Sequence, residues 1–258
     1  AVAIVDASLN DGDSVSDVTF TFSEVPANFD NTDLTLVGGT LSPVTQNLGL
    51  DSSGKTYTAT FTATDGFSGN GSVTVGAAWQ DAAGNAATLT GAVTNPAGTL
   101  VIDTTTPTVS SVAASGTGIT AGAGTLGTGS VVTLTMNLSE AVTVAGGTPT
   151  LTLNDGGTAT YTGGTGSNAL TFSYTVAAGQ NTADLAVTAV NLGTATVKDG
   201  AGNAANLAAA VTNPAGILQI DTTAPTASSL VASGTGIAAG AGNLSAGSVV
   251  TLTLNLSE

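Results

Sequence analysis

Apolar and polar residues alternate along most of this chain. Val18, Phe20 and Phe22 are separated by Thr residues, and the runs Val132–Leu138 and Leu170–Val176 follow the same pattern. A period of two is typical of strands with one face in a core and a Thr-rich face in water. Clusters of Gly, Asn, Asp and Ser separate the runs, and the three-and-four spacing of an amphipathic helix is not found. About six to eight such strands in each hundred-odd residues predict an all-β fold made of antiparallel β-sandwiches.

The sequence also repeats with a fixed period. Asp81–Thr108 returns as Asp199–Thr226, and Ser110–Glu140 returns as Ser228–Glu258, each 118 residues later. A fixed period predicts a tandem array. A parallel β-helix, the alternative for a chain rich in Gly and Thr, would repeat every ~20–30 residues, and no such period lies inside the longer one.

We therefore divide the chain into repeats joined by a short acidic Thr-Pro linker. The third piece copies only the opening of the second and has 37 residues (258 − 221). A piece this short does not bury a core alone, because folds below about 40 residues usually need a staple. We expect the sequence to be a segment of a longer protein. The predicted domains are 1–103, 104–221 (a second subtype) and 222–258, the opening strands of a truncated third repeat.

The charge balance narrows the possible partners. The chain has two Lys, no Arg, no His and 17 acidic residues, for a net charge of −15. Affinity for nucleic acid and anionic lipid comes from Lys and Arg, so neither is an expected partner. There is no run of 18 apolar residues, which excludes direct membrane insertion through a helical span. A polyanion of this kind suits cations.

The missing residue types also bear on chemistry and location. With no Cys and no His, thiol chemistry and the commonest general base are absent, and we expect no enzyme activity. An extracellular protein without disulfides needs another means of stiffening, and carboxylate-bound calcium is one.

Recurrent acids fall at positions that a sandwich of immunoglobulin-type strand order brings to one end. The second strand of each copy is predicted to end at a Glu, at Glu24, Glu140 and Glu258. Asp and Asn share the loop between the last two strands, and Asp opens the linker. For the second domain, this predicts that Asp103, Glu140, Asp199 and Asn203 converge. Three carboxylates and an amide oxygen can supply part of the six to eight oxygen ligands that calcium takes. Each signal alone also fits an ordinary turn, strand end or cap, but their recurrence at one offset favours a metal site.

The motifs FSE or LSE, D-x-A-G-N, and IDTTTP or IDTTAP resemble the bacterial Ig-like repeats of giant, RTX-type surface adhesins exported by type I secretion. In that family, calcium at domain junctions stiffens a stalk that carries a distal ligand-binding module. The resemblance implies tandem immunoglobulin-like sandwiches with Ca²⁺ at each junction. By position, the implied metal ligands are Asp103, Glu140, Asp199 and Asn203 at the first junction, Asp221 and Glu258 at the next, and Glu24, Asp81 and Asn85 toward a preceding repeat.

These observations predict a structural extender segment of an adhesin at the bacterial cell surface, of the kind found in cell adhesion and biofilms. Its expected partners are neighbouring repeats of the same chain, while other parts of the protein would contact host or bacterial surfaces. Two alternatives stay open. One is a ligand-binding module for glycan, ice or another cell, and the other is a surface-layer subunit.

Overall fold

The alternating runs form the strands of two β-sandwiches in the computed structural model, which describes residues 1–88 and 100–258. The predicted all-β fold of immunoglobulin-like sandwiches is confirmed. The strands of domain one are β1 (Val2–Ile4), β2 (Ser8–Asn10), β3 (Val15–Thr21), β4 (Pro26–Ala27), β5 (Leu34–Val37), β6 (Gly39–Leu41), β7 (Thr45–Gln46), β8 (Thr56–Ala63), β9 (Ser68–Val75), β10 (Gln80–Asp81) and β11 (Leu100–Asp103), with a 3₁₀ turn at Asn31–Asp33.

Domain one has two main sheets that enclose an aromatic core. One sheet has the order β1-β3-β8-β6, with β7 also on β8, and the other has the order β2-β11-β9-β5. Phe20 and Phe61 come from the first sheet and Ile102 from the second, and all three are fully buried. Because side chains alternate across a strand, the intervening Thr residues face outward.

Domain two repeats this plan with a larger sheet. Its strands are β12 (Val109–Ser115), β13 (Gly124–Leu126), β14 (Val131–Ala145), β15 (Thr150–Leu153), β16 (Thr158–Gly163), β17 (Ser167–Thr175), β18 (Val187–Asn191), β19 (Thr196–Lys198) and β20 (Leu218–Ile220), with a 3₁₀ turn at Ala208–Ala210. The main sheet has the order β12-β14-β17-β16-β15-β18, and β19 pairs with β14. Leu134, Met136 and Phe172 lie in a core that is separate from that of domain one.

Each domain contains a parallel strand pair that the antiparallel prediction did not include. In domain one β2 pairs parallel with β11, and in domain two β13 pairs parallel with β20. The cause is the same in both. The entering chain first pairs with one sheet and then crosses to the other, where it lies beside the exit strand that runs in the same direction.

Strand β14 also crosses between pairings, and this corrects the prediction that the second strand of domain two ends at Glu140. The strand pairs with β17 up to Asn137, has an irregular register before Val142, and then pairs with β19 through Ala145. Glu140 therefore lies at a corner within a continuous strand. Irregularities of this kind bend a strand and redirect its side chains.

The third piece forms one antiparallel hairpin of β21 (Ala227–Ser233) and β22 (Thr251–Leu256). Its apolar face is open. Leu252 is 63% exposed, whereas its counterpart in domain two, Leu134, is 0% exposed. This hairpin has the sequence of two sandwich strands, but no second sheet in the described part of the chain covers its apolar face.

Within residues 1–88 and 100–258, no helix has the length and apolar character needed to span a membrane.

Candidate cation site at the domain junction

Three carboxylates meet where domain one joins domain two, a region called the junction from here on. Asp103 is the last residue of β11, Glu140 lies at the corner of β14, and Asp199 follows β19 directly. Each contributes a carboxylate oxygen, and these oxygens all lie within 4.8 Å of one another. The structure therefore brings together the three acids that the sequence predicted to converge at this end.

The Asp199–Asn203 turn fixes the most buried of these carboxylates. Oδ1 of Asp199 accepts hydrogen bonds from the backbone N–H groups of Ala201, Gly202 and Asn203 at 2.8, 2.7 and 2.9 Å. Gly202 has a φ of +100°, which a residue with a side chain rarely adopts. This explains the D-x-A-G-N pattern, because Asp supplies the acceptor and Gly the backbone turn.

The three acids repel one another, and the effect is seen in the pKa of Glu140. Partial burial raises the pKa of the Glu140 carboxyl above its ordinary value, and the neighbouring charges of Asp199 and Asp103 raise it further. Lys198 gives little relief, because it precedes Asp199 on the chain and is exposed while Asp199 is buried. Successive residues of a strand point to opposite faces. The site is therefore anionic and suited to a bound cation.

Asn203 also lies at the junction, although its amide is already engaged. It is 1% exposed. Nδ2 donates to the backbone oxygens of Asp103 and Thr105 at 2.8 and 3.3 Å and to Oδ2 of Asp199 at 2.8 Å. Oδ1 accepts the backbone N–H of Asp11 at 2.7 Å. Oδ1 of Asn203, which the sequence predicted to bind a metal ion, is thus hydrogen-bonded to domain one in the structure.

The same turn in domain one is exposed. Oδ1 of Asp81 accepts the N–H groups of Ala83 and Asn85, both at 2.8 Å, and Nδ2 of Asn85 donates to Oδ2 of Asp81 at 2.7 Å. Glu24 is exposed near this turn, since Pro26, two residues on, pairs with Asp81. Among the described residues no third acid joins these two to form a cluster.

The acids predicted for the next junction are likewise not in a cluster of three within the described part of the chain. Asp221 accepts the N–H of Thr223 at 3.0 Å, which makes a linker turn, and Glu258 is exposed. For both residues a role in metal binding stays a prediction.

Two residues at the junction were missed by the sequence analysis. Asn10 and Asp11 of domain one contact the Asp199–Asn203 turn of domain two through hydrogen bonds. Their Asn-Asp-Gly-Asp text has the composition of an ordinary turn. Their partners, Ala201 and Asn203, are about 190 residues away along the chain, and no local sequence pattern identifies a contact at that distance.

Comparison with known families agrees with the fold. Residues 1–97 match the family model of a bacterial Ig-like domain. Together with the two-sheet sandwich, this match supports a bacterial Ig-like repeat in the amino-terminal domain. A comparison with curated proteins gave no match.

Proposed function

We propose that this chain is an extender segment of a bacterial cell-surface adhesin, and that calcium bound at the junction holds its domains in line. The observation that carries the proposal is the approach of Asp103, Glu140 and Asp199 to within 4.8 Å of one another. Asp103 ends the last strand of domain one, and the other two belong to domain two. A cation held by all three would tie the end of one sandwich to the next.

The donor set fits calcium. Hard carboxylate oxygens are its preferred ligands, and backbone carbonyls and water complete its shell in most sites. Glu140 would gain from a cation, because its ionised form is destabilised by partial burial and by two neighbouring charges. Extracellular calcium sites bind at about 10⁻⁴–10⁻³ M. Calcium at about 1 mM would then stabilise the junction by about 0.4–1.4 kcal/mol through mass action.

The remaining features support an extracellular structural role. Bacterial Ig-like domains are often found outside the cell, and the high negative charge and lack of Cys are compatible with that location. The proposal includes no enzymatic role. The partners it names are the neighbouring repeats, with adhesion to host or bacterial surfaces assigned to other parts of the protein.

Isothermal calorimetry and small-angle scattering test this proposal. We expect calcium to bind at the junction with millimolar or tighter affinity, and to increase the maximum dimension of the chain relative to chelator. Asp103→Asn should weaken that binding about tenfold or more, whereas Asp65→Asn, an exposed acid outside the cluster, should not. Calcium binding that is unchanged in Asp103→Asn would reject the site. A specific glycan found in a binding screen would favour the alternative of a ligand-binding module.

A further inference from the structure

Domain one also contacts domain two directly, beside the acidic cluster. Nδ2 of Asn10 donates to the backbone oxygen of Ala201 at 2.8 Å, and the backbone N–H of Asp11 donates to Oδ1 of Asn203 at 2.7 Å. We call these two hydrogen bonds the latch. They join an exposed loop of one repeat to the D-x-A-G-N turn of the next.

Hydrogen bonds within domain one hold the shape of this loop. Asn10 and Asp13 bond each other's backbone in both directions, at 3.0 and 3.2 Å. Oδ1 of Asn10 also accepts the N–H groups of Gly12 and Asp13, both at 2.9 Å. This leaves Nδ2 of Asn10 to donate to Ala201. Asn10 pairs with Asp103 in the parallel β2–β11 ladder, so the loop stands next to the acidic cluster.

We propose that the Asp199–Asn203 turn is a docking surface for the Asn10–Asp13 loop of the preceding repeat, with Asn203 as the positioning residue. The inference rests on the proposed stalk function but does not require a cation. Asn203 donates to Asp199 and to the backbone of Asp103, and it accepts from Asp11. One neutral amide thus connects the cluster, the linker and domain one.

The partner is specific, because the corresponding loop of domain two lacks the latch side chain. In domain two the parallel pair β13–β20 ends at Leu126 opposite Ile220. The next residue, Gly127, therefore takes the place beside Asp221 that Asn10 takes beside Asp103. Gly127 has no side-chain donor for the bond to a carbonyl. Docking through both bonds therefore requires a preceding repeat of the domain-one type.

Variants of Asn10 isolate the latch from the cation site. Asn10→Ser keeps a side-chain oxygen that can accept the loop N–H groups, removes the Nδ2 donor and leaves the charge unchanged. Asn47→Ser is the matched control, because Oδ1 of Asn47 also accepts a turn N–H, that of Leu50 at 3.1 Å, and its Nδ2 donates to Thr58 of the same domain. The chain has no Cys. Spin labels on Thr35→Cys and Thr158→Cys, both exposed positions, can therefore report the distance between the domains by pulsed electron paramagnetic resonance.

In chelator we expect one narrow distance distribution for the parent chain and for Asn47→Ser, and a distribution at least twofold broader for Asn10→Ser. Calorimetry with calcium should give Asn10→Ser an affinity within about twofold of the parent. Equal widths in all three chains, or equal broadening in Asn10→Ser and Asn47→Ser, would overturn the latch. Absence of calcium binding would instead reject the proposed cation role and leave the widths in chelator as the test of docking.

Asn203→Ala provides a second measurement, with Asn31→Ala as its control, because the exposed amide of Asn31 bonds backbone groups of its own domain. We expect Asn203→Ala to broaden the distribution in chelator and to weaken calcium binding, since Asp199 loses a partner. Asn31→Ala should change neither quantity. If Asn203→Ala keeps both the parent width and the parent affinity, Asn203 does not position the junction. If Asn203→Ala prevents domain two from folding, the Asn10→Ser result decides.

Discussion

Replacement of Glu140 by Gln should have opposite effects on the stability of domain two with and without calcium. The side chain keeps its shape and loses its charge. In chelator, the ionised carboxylate is opposed by Asp199 and Asp103, so we expect the neutral variant to be more stable than the parent at pH 7. In calcium, the variant lacks one of three anionic donors, so we expect it to bind calcium more weakly and to be the less stable chain.

The magnitude follows from the geometry. Because Glu140 is only partly buried, the dielectric constant of water gives a lower bound for the repulsion. Two unit charges 4.8 Å apart, the largest separation of these carboxylate oxygens, then repel by about 0.9 kcal/mol. Two such neighbours give about 1.7 kcal/mol, and screening at physiological salt reduces this to about 1 kcal/mol. A change of this size shifts the melting temperature of a domain of this length by a few degrees.

Differential scanning calorimetry of the parent and variant, in chelator and in millimolar calcium, measures both signs. Glu24→Gln is the control, because Glu24 is exposed and belongs to no three-acid cluster among the described residues. A Glu140→Gln variant that is less stable than the parent in chelator would refute the repulsion argument. A variant that keeps its advantage in calcium would show that Glu140 does not bind the cation.

The carboxyl of Glu140 should also make the stability of domain two depend on pH. Its pKa is raised in the folded state, so its contribution to stability is fully present below the ordinary value of 4.5 and is lost as pH rises through the folded pKa. In chelator, domain two should therefore lose stability as pH rises from about 4.5. In calcium the trend should reverse, because protonation of Glu140 competes with the metal. Thermal unfolding across this range tests both trends, and identical pH profiles in chelator and calcium would contradict the linkage.

Three further substitutions test the sandwiches. Phe172→Ala should destabilise domain two by about 3–5 kcal/mol, because the ring is buried in its core. Far-ultraviolet circular dichroism should then show an early unfolding transition, while the fluorescence of the single Trp, which lies in domain one, keeps the midpoint of the parent chain. Thr104→Val should destabilise domain one by about 1–3 kcal/mol, because the buried hydroxyl accepts the N–H of Phe67 at 3.0 Å, and a parent midpoint in urea would contradict this. Gly157→Ala should lower the free energy of unfolding of domain two by about 1–3 kcal/mol, since the new Cβ would stand 2.5 Å from the ring of Tyr174. The control Gly163→Ala places its Cβ no closer than 3.7 Å to a neighbouring atom and should leave stability nearly unchanged in the same denaturation assay.

The sequence was sufficient to predict the sandwiches, because the longer buried strands β3, β14 and β17 share the alternation seen in Val132, Leu134 and Met136. It also predicted that Asp103 and Asp199 approach each other, since strand order alone places the linker and the last loop at one end.

The course of β14 past Glu140 and the partners of Asn203 could not be predicted from the sequence. The alternation resumes at Val142 and Val144, so the continuation of β14 was present in the pattern, but a charged residue at position 140 resembled a strand end. The use of Asn203 could not be predicted, because its oxygen is satisfied by a backbone group of another domain. Hydrogen bonds between distant segments depend on how two finished domains meet, and neither period nor propensity carries that information.

The parallel pairs β2–β11 and β13–β20 have a mechanical consequence. When a chain of such domains is stretched, force enters each domain through its first strand, passes to the second strand and leaves through the last. In the parallel pair of second and last strands, the two pulls act along the strands in opposite senses. The ladder bonds lie across that direction and are loaded together, so the strands must slide past each other before either one separates. An antiparallel pair pulled from its free ends would open one bond at a time. Once its first strand has separated, each of these domains therefore resists tension through the shear of a short parallel ladder.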